Sequence, residues 1–332
     1  PCGKMHPGYN PIGRPLSRKR ILVVHYSQTG QLDAVIHSMV APLEAAGHEI
    51  HFENVRPVRP YPFPWPFFRF LDVFPESVHL DPPELAPFEL EPGQSFDLVI
   101  LGYQVWFLSP SLPITGFLKS PAGQAVLADT PVVTVAVCRN MWVMAQEKVK
   151  RLLDEAGARL IDHVAVVDPG PSLATFITKP RWMLTGKRGR ADGWLPPAGV
   201  GEEQIRDSAR FGHALVEGLE QDAERGSGPL LHGLRAVEVD PALVASERAG
   251  DRSFRIWGRL VRAAGRQGQY RRRPVLMLYV VFLVTLILVV VPPSLVLRRL
   301  LQPLARKRLA ARRQAFEQPS GSGDKRMTEF LS

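Results

Sequence analysis

The sequence predicts a doubly wound α/β domain: a five-stranded parallel sheet in the order 2-1-3-4-5 with helices on both faces, followed by a C-terminal hydrophobic helix. Three observations carry this. Short apolar runs alternate with amphipathic helical patterns, the pattern of a parallel sheet with covering helices. A polar turn, Ser27–Gly30, follows the first apolar run and opens the first helical pattern, as in phosphate-binding folds of this class. Residues 274–297 contain no charged side chain.

The strands are expected at Arg20–Tyr26 (RILVVHY), His48–Val55, Phe96–Leu101, Pro131–Val137 (PVVTVAV) and Arg159–Val167. Unbroken apolar runs of this length suit strands buried on both faces. The first helix, Leu32–Ala46, sets Leu32, Val35, Ile36, Met39, Val40 and Leu43 on one side and ends at Gly47. Pro42 either kinks it or starts its last turns. Met141–Ala156, ended by Gly157, and Glu202–Leu219 are the later helices.

Two segments break the alternation. Arg56–Pro92, within an insertion over 56–95, is dense in proline and aromatics (PYPFPWPFFRFLDVFP), which argues against helix and sheet ladders there. It reads as a lid over the site, an apolar docking surface or a loop packed on the core. A second insertion, 168–200, sets Lys179, Arg181, Lys187, Arg188 and Arg190 near Trp182 and Met183. It is placed to touch a membrane or to close over a ligand.

Composition narrows the partners. The chain has 332 residues, 45% hydrophobic, with a net charge of +9, so it can bury a core and favours an acidic partner. The charge is concentrated: 252–273 holds eight arginines and 298–313 seven arginines or lysines, on either side of the apolar stretch. That placement points to membrane lipid, with no nucleic acid partner. Cys2 and Cys138 are too few for a disulfide framework or a cysteine metal site, and no metal is expected. The N-terminus lacks an apolar core of signal-peptide length, so the globular part is expected on the cytoplasmic face of the membrane.

About 20 apolar residues cross a bilayer core, and 274–297 reaches that length as a transmembrane or membrane-inserted helix. Basic flanks on both sides leave a single span and a re-entrant anchor open, with Pro292-Pro293 as a break. Upstream, Arg252, Arg255, Arg259, Arg262 and Arg266 share one helical arc, and Phe254, Trp257, Leu260, Val261 and Ala264 another. This is the pattern of an interfacial helix. The plan is a disordered leader (1–18), a domain (19–224), a linker (225–250), a basic amphipathic helix (251–270), the apolar helix (274–297) and a basic then polar tail (298–332).

In such a fold ligands bind beyond the C-terminal ends of the strands. Three segments meet there. Ser27, Gln28, Thr29, Gly30, Gln31 and Leu32 open the first helix, where backbone N–H groups favour an anion. The absence of a G-x-x-x-x-G-K or G-x-G-x-x-G pattern favours a monophosphate over a triphosphate or dinucleotide. Gly102, Tyr103, Gln104, Val105, Trp106 and Phe107 follow the third strand, and Tyr103 and Trp106 offer planar faces to a ring. Pro113 starts a helix beyond them. Cys138, Arg139, Asn140 and Trp142 follow the fourth strand. Arg139 and Asn140 can donate to a ring edge, Trp142 can wall it, and Cys138 reads as a small buried apolar residue.

At these residues the chain resembles the flavodoxin-like superfamily. Ser27, Thr29 and Gly30 match its S/T-x-T-G-x-T phosphate loop, and Leu32 departs from the final threonine. Gly102–Pro113 is similar to the ring loop of flavin-dependent quinone and NADPH:FMN reductases, with Gln104 and Trp106 in place of the usual Pro and Tyr or Phe. More closely, HYSQTGQLDAVIHSM, GYQVWFLSPSLPITGFL and CRNMWVMAQEKV resemble the dialkylresorcinol condensing enzymes, which occur with the bacterial machinery for aryl-polyene and dialkylresorcinol lipids.

The resemblance implies FMN as cofactor, an FMN-dependent oxidoreductase as activity, and a homodimer as a plausible state. The chain lacks the organisation of a ketosynthase, which needs an activated cysteine with histidine or asparagine helpers. The expected reaction is therefore oxidation of a dialkyl-cyclohexanedione, an apolar small molecule, to a resorcinol. Tyr103 and His163 are the candidate bases. The alternatives are an NAD(P)H-dependent quinone or flavin reductase, and a non-redox scaffold that binds a ketosynthase or an acyl carrier protein.

Overall fold

The protein is described by a computed structural model over residues 18–168, 172–188, 198–226, 228–290 and 313–330. The expected leader, save Arg18, and residues 291–312 with Pro292-Pro293 lie outside the described residues, as does Arg190.

One sheet is built from β1 (Arg20–His25), β2 (Glu49–Asn54), β3 (Leu98–Trp106), β4 (Ser109–Pro110), β5 (Pro131–Cys138) and β6 (Arg159–Val167). The five long strands run parallel in the order β2-β1-β3-β5-β6, the expected 2-1-3-4-5 arrangement. The two-residue β4 adds an antiparallel sixth strand on the end of β3. Ile21 stands opposite Ile50 on one side and Leu98 on the other, and Val99 opposite Val132. Every residue of β5 is buried, which is why that run shows no polar alternation.

The helices are α1 (Gln31–Ala45), α2 (Phe67–His79), α3 (Leu112–Lys119), α4 (Pro121–Leu127), α5 (Val143–Glu155), α6 (Ser172–Thr185), α7 (Glu202–Asp207), α8 (Ala209–Glu220), α9 (Pro241–Ala264) and α10 (Arg273–Thr285). The expected closing helix is divided at Ser208 into α7 and α8. α8 and α7 pack on α1, and α3 and α9 pack on α5, so the sheet lies between two helical layers. The six apolar residues expected on one face of α1 are all buried.

Four expectations need correction. The third strand does not stop at Leu101. It runs on through Gly102 to Trp106, because Gly102 serves close packing and not a turn. A Cβ there would sit 3.1 Å from Ile36 Cδ1 and 3.2 Å from His25 Cβ.

The proline-rich insertion is not free of helix. α2 starts directly after Pro66 and carries Pro75 within it. Leu71, Phe74 and Val78 recur at helical spacing and are buried, and that burial outweighs the one backbone hydrogen bond Pro75 cannot donate.

The stretch 225–250, expected as a linker, is packed. Leu231, Leu234 and Val237 are fully buried in the main core, and α9 begins at Pro241. Most of the apolar arc of α9 does not lie open to a membrane interface; Leu260 is exposed, and Val261 is buried. Phe254 and Trp257 pack on Phe74, Tyr279 and Phe282, so α2, α9 and α10 share a second core. Arg272, fully buried, ties this core together: its Nη2 donates to Glu76 Oε1 and Oε2 at 3.1 Å, and its Nε lies 3.1 Å from Asp72 Oδ1. Burial raises both carboxyl pKa values even beside this guanidinium.

The C-terminal tail returns to the domain. Ser320 Oγ donates to Asp162 Oδ1 at 2.6 Å and accepts from the His163 amide at 2.7 Å. The Arg235 amide donates to Gly323 O and the Arg326 amide to Gly233 O. The open edge of β6 is thereby covered by 230–239 and the tail, which protects it from strand-to-strand association.

Candidate functional site

The chain leaves β1 into Ser27–Gly30, and Gly30, the residue before α1, sits at φ +76. Glycine takes this left-handed conformation without steric cost. A Cβ added at Gly30 would meet nothing within 4 Å, so the loop faces open space. Ser27 Oγ is buried with no hydrogen-bond partner among the described residues. An open turn at a helix N-terminus with an unpartnered hydroxyl suits an anion.

Beside the loop lies a cavity of about 290 Å³, close to the lower end of the usual ligand-pocket range. It is bounded by Gln28, Thr29 and Gln31 from the first loop, Gln104–Phe107 from the end of β3, and Val137, Cys138 and Arg139 from the end of β5. All three expected segments therefore reach one space at the carboxyl ends of β1, β3 and β5. Gln104 Oε1 is buried there without a partner among the described residues, an acceptor available to a ligand N–H. Burial pushes the Cys138 thiol pKa up, so the thiol stays protonated and apolar.

The lid comes from both insertions; the sequence singles out Lys179, Trp182 and Met183 in the second, and does not single out Trp65, Phe70 and Val73 in the first. Trp65, Phe70 and Val73 enter from the first, and Lys179, Trp182 and Met183 from α6 in the second. The two are joined: the Trp65 amide donates to Met183 O at 2.7 Å, and Phe63 meets Trp182 edge-on at 5.7 Å. Lys179 Nζ lies 3.5 Å from Asp168 Oδ2. Burial lowers the lysine pKa and the carboxylate opposes that shift. The sequence signal for these residues was the unusual Trp and Lys content of segments otherwise hard to justify as loops.

Several expected site residues are elsewhere. Tyr103 is buried beneath the sheet, its hydroxyl donating to Gln146 Oε1 at 2.7 Å, and presents no face to the cavity. Gly102 is packed against α1, and Leu32 is in the core. Gln28 uses its side chain to hold the lid, donating to Pro62 O and accepting from Trp65 Nε1. Gln31 Nε2 likewise donates to Val200 O. Trp142 is buried against His163 with ring centroids 5.1 Å apart, and neither it nor Asn140 lines the cavity.

His163 is buried with Nδ1 2.8 Å from Thr134 Oγ1, and desolvation lowers its pKa to about 3. It cannot reach a ligand in the cavity. Trp106 does line the cavity, but its ring is already held edge-on by Tyr26, Tyr61 and Trp65 at 5.0–5.9 Å.

The turn that follows Trp106 is strained. Phe107 and Leu108 form a two-residue loop between β3 and β4 with φ +49 and φ +57. Hairpin turns of this kind favour Asn-Gly, and side chains with a Cβ cost roughly 1–2 kcal/mol each there. Lys148 pins the turn: buried Nζ donates to Leu108 O, Ser109 Oγ and Asp251 Oδ1 at 2.7–3.0 Å. The held conformation sets Phe107 between the cavity and the second core, with Phe70 at 5.1 Å and Phe74 at 5.7 Å.

Glu247 closes off the third segment. Fully buried on α9, it accepts the Met144 amide at 2.9 Å and those of Val143 and Trp142, capping α5. Desolvation raises its pKa from 4.5 to about 7. The folded state therefore binds this proton more tightly than the unfolded chain. The contribution is full below pH 4.5, is lost as pH rises to about 7, and is flat above. The total is about 3 kcal/mol. Glu247→Gln is expected to flatten that part of the Tm-against-pH curve, and an unchanged slope would remove this assignment.

Strand order defines a flavodoxin-like α/β fold, and the cavity lies at the switch in strand order. No family model matches the chain, and no curated protein matches it. Among solved structures it is similar to a flavoprotein in complex with FMN from Lactobacillus acidophilus NCFM, with 15% identity, 44% of this chain and 93% of that one covered, and a TM-score of 0.37. It is also similar to a flavodoxin from the domain Archaea (11% identity, 60% and 99% covered, TM-score 0.33) and to a flavone reductase (11%, 63% and 66%, 0.32).

Proposed function

We propose that this chain is a membrane-associated FMN oxidoreductase of dialkylresorcinol or aryl-polyene lipid biosynthesis, aromatising a dialkyl-cyclohexanedione to a resorcinol. The observation that carries the cofactor is the open Gly30 turn with its orphaned Ser27 hydroxyl, beside an aromatic-lined cavity. Ser27, Thr29 and the amides opening α1 would hold the phosphate. Gln104, Trp106 and Arg139 would border the ring. The pathway rests on the resemblance of the three site segments to dialkylresorcinol condensing enzymes.

A cyclohexane-1,3-dione becomes a resorcinol by losing two hydrogens, one as a proton and one with its electron pair. Bound FMN would supply the two-electron acceptor. The chain's own residues orient the substrate and receive the proton. Trp65, Phe70, Phe107 and Trp182 exclude water from the ring's surroundings. Lys179 Nζ, in the cavity wall with its pKa lowered by burial, is the group we assign as proton acceptor. It replaces Tyr103 and His163 in that role. Lys179→Met is expected to keep the bound flavin while dione oxidation falls about 100-fold or more. Undiminished oxidation by that variant would remove Lys179 from the mechanism.

The direct test of the cofactor is purification in detergent, followed by release and identification of any bound chromophore. FMN is the expected result. A colourless chain that takes up no added FMN would overturn the proposal, and stable binding of an acyl carrier protein or ketosynthase by that colourless chain would select the scaffold. Bleaching by NADPH with no dione present would select the quinone or flavin reductase. A homodimer is part of the proposal and is read by light scattering in detergent.

A further inference from the structure

The apolar strip of α10 and its π-helical continuation Leu286–Val290 faces solvent through Leu278, Val281, Val284 and Leu288, with exposures of 48–69%. Tyr270–Val289 is the one helix among the described residues long and apolar enough to cross a bilayer. Arg271 and Arg273 stand at its start, with Arg273 stacked over the exposed Tyr270 ring at 4.0 Å, an aromatic and basic pair suited to the headgroup level. The occupant of this strip, on the reading above, is an anionic bilayer.

We infer that the strip enters one leaflet only, and that the chain on both sides of the apolar segment stays on one face of the membrane. This rests on the membrane association proposed above and settles the choice between span and re-entrant anchor.

Three observations carry it. First, the tail returns to the domain it left. Ser320, fully buried, bonds Asp162 and the His163 amide, and Gly323 O accepts the Arg235 amide. An odd number of crossings would put Ser320 and Asp162 on opposite faces. Second, the uncharged run 274–297 would rise about 36 Å even as one helix, enough for one crossing of the roughly 30 Å bilayer core and not for the two crossings that a return to the same face would need. Third, the sequence after the apolar run carries Arg298, Arg299, Arg306, Lys307 and Arg308. Those charges do not form a second span and suit anionic headgroups on the side where the segment began.

The test uses the full chain with Cys2→Ser, leaving buried Cys138, and one added cysteine: Glu44→Cys on the exposed face of α1 or Lys325→Cys on the exposed tail. Each is expressed in bacteria and treated with a membrane-impermeant maleimide in right-side-out and inverted inner-membrane vesicles. Both sites should react in inverted vesicles and be protected in right-side-out ones. Opposite sidedness of the two cysteines would overturn the inference and leave membrane association standing. A chain recovered wholly in the soluble fraction would overturn both. Hydrogen exchange on the unsubstituted chain in vesicles gives an independent reading. The His163 and Arg235 amides should exchange slowly, and rapid exchange at both would mean the tail is not seated on the domain.

Discussion

Gly30→Val is expected to leave a folded protein without flavin. The residue stands at φ +76 beside open space. A left-handed residue with a Cβ costs roughly 1–2 kcal/mol, and valine adds branching that this backbone region tolerates poorly. The added methyls also project where a phosphate would approach the amides opening α1. FMN affinity should fall by at least about tenfold, which corresponds to ~1.4 kcal/mol, as read by fluorescence quenching on titration. Ser27→Ala should weaken binding without the backbone penalty, since it removes one donor and leaves Gly30 free. The circular dichroism of the FMN-free Gly30→Val protein should match that of the FMN-free parent. Full flavin occupancy in Gly30→Val would show that the phosphate, and with it the ring, sits elsewhere.

Arg272→Met should be the most destabilising single change at the junction of domain and apolar helix. The guanidinium is fully buried and faces two carboxyl groups, Asp72 and Glu76, both on α2. Removing one side of a buried ion pair costs about 3–5 kcal/mol, because the remaining charges keep their desolvation penalty. Burial holds both carboxyl pKa values above their ordinary range even with the arginine present, and removing Arg272 takes away a group that opposes that shift. Denaturant unfolding in detergent should show the loss, and limited proteolysis should cut between α9 and α10. The triple variant Arg272→Met, Asp72→Asn, Glu76→Gln should recover much of the loss. If Arg272→Met unfolds at the parent's midpoint, α10 is not anchored through this triad.

The strands β1 and β5 were legible because they are buried on both faces: RILVVH and PVVTVAVC read as apolar runs for the same reason that Ile21–His25 and Pro131–Cys138 are buried. α2 was not legible, since proline density masked the helical recurrence of Leu71, Phe74 and Val78. Tyr103 was misplaced by one inference: Gly102 was taken to end the strand, whereas it admits Ile36 against the sheet. Beyond that point alternation sends Tyr103 into the core and Gln104 toward the cavity. Lys179 stands in the sequence only as one of several basic residues near Trp182 and Met183, with nothing to set it apart as the one that enters the cavity. Its position depends on α6 folding back over β5, a tertiary event that no spacing along the chain records.

The clasp of Ser320 on Asp162 joins residues 158 positions apart, across the apolar segment. During synthesis that segment emerges before Ser320 does. The edge of β6 therefore lacks its tail, and the Asp162 carboxylate its hydroxyl partner, until synthesis has passed the apolar segment. Closing so long a loop is slow, so the seating of the tail is a late step in folding. A nascent domain without its tail carries an uncovered strand edge, which makes the clasp a safeguard against clumping through β6.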